Sequence, residues 1–113
     1  MQIVDSHCHL DRLEIPVDEA LKLAAEKEVV HFLCVCIDMD NYSAVLDIAQ
    51  KYPQVHASVG LHPTEIVEHE PTVEELIEKG SPEKIVAVGE TGLESPRNND
   101  VFMLYNEQYT NQI

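Results

Sequence analysis

Basic residues are scarce in this 113-residue sequence: seven Lys and Arg stand against twenty-one Asp and Glu, giving a formal charge of −14. A surface of that sign repels phosphate backbones and lacks the basic stripe of a stoichiometric nucleic-acid binder. It leaves room for an enzyme whose bound cations hold a phosphate, because metal ions are often the largest local charges in a site. No apolar run reaches the ~20 residues a bilayer span requires, so no membrane association is expected. The opening "MQIVDSH" has no basic segment followed by an apolar one, and no signal peptide is expected. Cysteine is limited to Cys8, Cys34 and Cys36. An odd set without extracellular features fits reduced thiols and a cytoplasmic location. Repeats, low-complexity tracts and linkers are absent, and the length suits one domain with a modest core.

What is present is alternation. "QIVDS" is a short apolar strand, and "PVDEALKLAAEKE" follows with Val17, Ala20, Leu21 and Ala24 at helical spacing. Pro16 suits a first helical turn. "VVHFLCVCI" is β-branched and apolar almost throughout, as a strand buried on both faces is. "DNYSAVLDIAQKY" places Tyr42, Val45, Leu46 and Ala49 on one helical face, with Asp40 or Asn41 as the expected cap and Pro53 as the stop. "VHASVG" reads as a third strand. "TVEELIEKG" reads as a short helix with a capping box of Thr72 and Glu75 and with Gly80 at its end. "KIVAVG" is a fourth strand, and residues 100–113 repeat a helical pattern through Val101, Tyr105, Gln108 and Gln112. About four β-α units in succession imply an α/β fold with parallel strands and helices packed outside them.

The polar residues fall at one level of such a sheet. His7 and His9 follow strand one in "DSHCHLD", and residues two apart share a side. His62 follows strand three in "VGLHP", and Glu90 follows strand four in "VAVGETGLE". The C-terminal ends of parallel strands are where α/β barrels and open α/β sheets build their sites. Converging imidazoles and a carboxylate can hold a divalent cation, and Asp5 is placed to orient an imidazole from behind.

In their order and spacing, "DSHCHLD", "VGLHP" and "VGETGL" resemble the TatD family of metal-dependent deoxyribonucleases, within the amidohydrolase-like barrels. The resemblance covers residues 3 to about 94 well and the final segment more weakly. It implies a (β/α)8 TIM-type barrel of which residues 1–113 form the first half, as one partial domain. It implies a hydrolase, a nuclease in which water attacks a phosphodiester at two divalent metal ions (Mg, Mn or Zn). His7, His9 and Glu90 take the metal-ligand positions, and Glu90 bridges. His62 matches a histidine beside the centre that contacts the phosphate, so Glu90 and His62 are the catalytic expectations and DNA is the expected substrate. The family's pattern continues for about four more β-α units that supply two further histidines and an aspartate. Glu94-Ser95-Pro96 also stands where the family has an aspartate followed by an aromatic residue. Low or absent nuclease activity is therefore expected of these 113 residues alone. Bare strand edges, with Ile3, Val35 and Val88 facing a missing wall, lead us to expect a homodimer or higher species.

Other residues have simpler readings. Cys34 and Cys36 share a side of strand two and are expected as small buried core residues rather than soft metal ligands. Cys8 is expected to point away from the His7–His9 side. His31 and His56 lack ligand spacing, and His69 lies in an acidic solvated stretch. "VGETG" is not a dinucleotide fingerprint, because no further glycine opens a helix at the required spacing. Two alternatives to a nuclease remain at this point: a related amidohydrolase acting on C–N or ester bonds, and a non-catalytic half-barrel.

Overall fold

Four β-branched stretches, the first three each followed by a polar segment and an amphipathic or capped helix, set the architecture of the computed structural model, which describes residues 1–92. In chain order the elements are β1 (Ile3–Cys8), a 3-10 turn (Leu10–Arg12), α1 (Val17–Glu26), β2 (Val29–Cys34), α2 (Met39–Lys51), β3 (Val55–Val59), α3 (Val73–Lys79) and β4 (Ile85–Val88). The strands form one sheet in the order β1-β2-β3-β4, and every pairing is parallel. Parallel neighbours need a crossover, and the three helices supply one each. The α/β expectation with four parallel strands is met. The helix expected over 100–113, together with Glu94, Ser95, Pro96, Arg97 and Asn98, lies outside the described residues.

Burial separates the sheet's two faces. Phe32, Cys34, Val45, Ala49, Val55 and Ala57 are buried together with Leu10 and Leu21, between the sheet and α1 and α2. A second cluster of Cys36, Tyr42, Val59 and Leu76 carries the core toward α3. There the Tyr42 hydroxyl donates to the Lys79 carbonyl at 2.6 Å, satisfying a carbonyl that the end of α3 leaves without a helical partner. On the sheet itself, Ile3, Val4, Val86 and Val88 remain 47–60% exposed on the outer strands. Val35 departs from expectation: it is only 4% exposed and not bare.

Three local expectations are corrected. β2 pairs only to Cys34, not to Ile37, because the Cys36 N–H leaves the ladder for the Ser58 hydroxyl at 3.0 Å. β1 runs through Cys8, so His7 lies within the strand and only His9 follows it. The cap of α2 is Asp38, not Asp40 or Asn41. Asp38 is extended and its carboxylate accepts the Asn41 N–H at 2.8 Å, while the Asn41 side-chain oxygen accepts the Asp38 N–H at 3.1 Å. Asparagine thus fills the role glutamate has in an ordinary capping box. The capping box expected at Thr72 and Glu75 is present.

Candidate metal centre

Each strand end hands its chain to the next by a backbone hydrogen bond. Val35 N–H donates to Cys8 O, His62 N–H to Ile37 O, Gly89 N–H to Val59 O and Glu90 N–H to Cys36 O, at 2.6–3.0 Å. These bonds hold the loops after β1 to β4 at one level, with the motif residues on them. Between Asp5 and Cys8 the β1–β2 register slips: three steps on β1 match two on β2, from Phe32 to Cys34. The extra residue is a bulge, a device that re-aims side chains at barrel rims. Asp5 stabilises it by accepting the backbone N–H of His7 at 3.1 Å. The expectation that Asp5 orients an imidazole is thereby corrected, since the bond it makes holds main chain.

His7, His9 and Glu90 meet. One ligand atom from each lies within 4.8 Å of the other two, the one such group of three found among the described residues. The His7 Nε2 is 3.4 Å from Glu90 Oε1, and the two imidazoles stand edge to face with centroids 5.2 Å apart. His9 Nδ1 lies 3.2 Å from the Val35 carbonyl. A carbonyl only accepts, so Nδ1 carries the hydrogen and Nε2 is left with a free lone pair. This is the arrangement of a metal-ligating histidine whose second nitrogen is fixed from behind. Ligands at ~2.1 Å from one ion lie up to ~4.2 Å apart, so a small closure of these side chains fits an ion. Two imidazoles and a carboxylate together can hold a divalent cation.

His62 stands beside this group. Its Nε2 is 3.8 Å from Glu90 Oε1. Both the N–H of Thr64, at 3.1 Å, and its hydroxyl, at 2.7 Å, point at Nδ1. Nδ1 therefore accepts, and the neutral ring presents an N–H donor from Nε2 toward the cluster. A shallow cleft of about 290 Å³ opens here, lined by His7, Val35, Ser58, Val88 and Glu90 among others. A larger one, about 570 Å³, lies between the start of α2 and the segment before α3. It holds His69, paired with Glu75 at 3.2 Å, and sits apart from the cluster.

The supporting residues were not singled out from sequence. Ser58, 1% exposed, accepts the Cys36 N–H and donates to the Gly89 carbonyl at 2.7 Å, tying β2, β3 and the Glu90 peptide together. Asn41 donates to Asp11 at 2.9 Å and so anchors the turn after His9 to α2. Asp11 lay inside "DSHCHLD", but only the fold shows what it grips. Cys34 and Cys36 are fully buried, as expected. Cys8 is half-buried against the core, and the hydrogen bond between the Cys8 and Cys34 thiols pushes Cys8 up and Cys34 down. Burial pushes Cys36 up to about 11. His31 is exposed and His56 half-buried, and neither joins the cluster.

Comparison with known proteins places this geometry. Residues 4–113 match the family described as TatD related DNase. The chain is 37% identical over 100 residues to YcfH of Escherichia coli K12, described as an uncharacterized metal-dependent hydrolase, covering 83% of this chain and 37% of that one. It is 34% identical over 105 residues to an uncharacterized metal-dependent hydrolase of Buchnera aphidicola subsp. Baizongia pistaciae, covering 88% and 40%. The crystal structure of YjjV, a TatD homolog from E. coli K12, superposes with a TM-score of 0.80 at 29% identity over 97% of this chain and 44% of that chain. The fold thus matches part of a TatD-type barrel, and the chain spans about two fifths of the length of these curated relatives. No helix among the described residues is long and apolar enough to cross a membrane. With residues 4–113 matched by the family, the chain belongs to the TatD-related DNase family.

Proposed function

We propose that these residues form part of the site of a metal-dependent hydrolase of phosphodiester bonds, with DNA as the substrate class. The observation that carries this reading is the His7–His9–Glu90 group, with His9 Nε2 left free by the Val35 carbonyl. His7 and His9 would hold a divalent ion through nitrogen, and Glu90, whose Oε1 lies 3.4 Å from His7 and 3.8 Å from His62, would supply a carboxylate ligand beside them. When bound, such ions lower the pKa of a coordinated water and hold the oxygens of an in-line displacement. His62 contributes a neutral N–H donor, which suits a phosphate oxygen better than a second base would. The acidic chain has little else to attract phosphate, so binding depends on the ions and on His62.

Equilibrium binding of a thymidine dinucleotide, with and without Mn²⁺, tests the reading. Metal-dependent binding that is lost in His62→Ala supports it. Equal binding without metal would contradict it, and competition by a dipeptide amide favours the amidohydrolase alternative. Hydrolysis by the 113 residues alone is expected near background, because the described residues offer one group of three ligands, too few for a two-metal shell. Cleavage abolished by Glu90→Ala would show that other groups complete it.

Association with a second copy is part of the proposal. β1 and β4 are the outer strands of the described sheet, and Ile3, Val86 and Val88 are exposed on them. Unpaired edges and apolar faces of this kind favour pairing with another chain. Light scattering at moderate salt should show a dimer or larger species, and a monomer across micromolar concentrations would rule it out.

A further inference from the structure

We propose that Cys8 and Cys34 form a reversible disulfide that acts as a redox-operated lock on the His7–His9 pair. The two residues are direct register partners on the adjacent strands β1 and β2. Neighbouring strands run ~4.8 Å apart, within the 4.4–6.8 Å that a disulfide spans between α-carbons. Cys34 belongs to the buried core and Cys8 packs against that same cluster. Each is the last residue of its strand, and the bulge before Cys8 gives β1 local slack. Cys8 is half-buried and donates to the Leu33 carbonyl at 3.4 Å, so a small reagent reaches it first. Cys36 is no competitor, since its sulfur is turned to the Asp38 carbonyl at 3.0 Å and to Asn41 at 3.5 Å.

The oxidant is a low-molecular-weight disulfide. The Cys8 sulfur attacks one of its sulfurs, giving its proton to solvent as the bond forms, and expels a small thiolate. The Cys34 thiolate then attacks the Cys8 sulfur of the mixed disulfide and expels the second. Two protein thiols and one small disulfide become one protein disulfide and two small thiols, which take up the two protons. With Cys8 only half-buried, a small thiol can reach the bond and reduce it again. Cys8 lies between His7 and His9 in the chain, so drawing its side chain onto Cys34 shifts both imidazoles. That consequence rests on the metal reading above, whereas the disulfide does not.

Reduced protein incubated in oxidised glutathione, then acid-quenched, alkylated and peptide-mapped, should lose two hydrogens and yield a Cys8–Cys34 linked peptide. Cys36 should be alkylated, dithiothreitol should reverse the link, and Cys8→Ser and Cys34→Ser should each abolish it. Calorimetry with Mn²⁺, a hard ion that discriminates against thiolate ligands, should show binding weakened at least about tenfold in the oxidised form. Cys8→Ser, the less buried position, should bind Mn²⁺ equally before and after oxidant. A lasting glutathione adduct without the internal link, a link through Cys36, or unreacted native thiols would overturn the disulfide. A link that leaves Mn²⁺ affinity unchanged would overturn the lock. If the reduced protein gives no Mn²⁺ heat while the link forms, the disulfide stands and the metal reading fails.

Discussion

Replacing Ser58 by alanine should destabilise the protein far more than the loss of one small hydroxyl suggests. The Ser58 side chain is 1% exposed and fills two needs at once, accepting the Cys36 N–H at 3.0 Å and donating to the Gly89 carbonyl at 2.7 Å. Alanine fits the space but leaves both main-chain groups without that partner. A buried group deprived of its partner costs about 1–3 kcal/mol, so the two together cost about 2–6 kcal/mol. That is a large fraction of the ~5–15 kcal/mol by which domains are stable. At roughly 4 °C per kcal/mol for a chain of this size, Tm should fall by about 8–24 °C. Urea unfolding measures it, with Ser43→Ala on the exposed side of α2 as a control expected to change little. Because Gly89 shares a peptide with Glu90, metal affinity should drop as well. A Ser58→Ala protein within about 0.5 kcal/mol of wild type, the range of ordinary surface changes, would refute the role given to this hydroxyl.

Glu28 follows α1 with φ of +66°, a left-handed conformation that costs a non-glycine residue about 1 kcal/mol or more. Glu28→Gly should therefore raise stability by up to about 1 kcal/mol after the entropy of glycine is subtracted, and an unchanged or lower urea midpoint would contradict this. The Glu75 carboxylate, which accepts the Thr72 N–H and then pairs with His69, is held below its usual 4.5. A depressed folded value means that its stabilisation is present above pH 4.5 and lost as pH falls through the folded pKa. Amide exchange in α3 should quicken over that acid range in wild type but not in Glu75→Gln, and identical profiles would contradict the assignment.

The alternation of strands and helices was legible because its signals are local. Val45 and Ala49 repeat at helical spacing, and Thr72 and Glu75 cap α3 from three residues apart. The motif residues were legible because each sits where an apolar strand gives way to polar sequence, and parallel topology brings such points together. What escaped was fixed by partners far away in the chain. β2 stops at Cys34 because Ser58, on the next strand, takes the Cys36 N–H. Asn41 reads as a possible cap by itself, yet its side chain joins Ile37, Asp38 and Asp11 at once. Asp5 stands near the histidines in sequence, but the bulge turns its carboxylate to main chain. Short polar residues have many possible partners, and only the fold selects among them.

Mn²⁺ or Zn²⁺ calorimetry on wild type and on the His7→Ala/His9→Ala double variant tests the central claim most directly. Wild type should give a weak, saturable heat. The double variant should give no such heat, with far-ultraviolet circular dichroism unchanged. Equal heats from the two proteins would contradict the claim that His7 and His9, with Glu90, hold the metal.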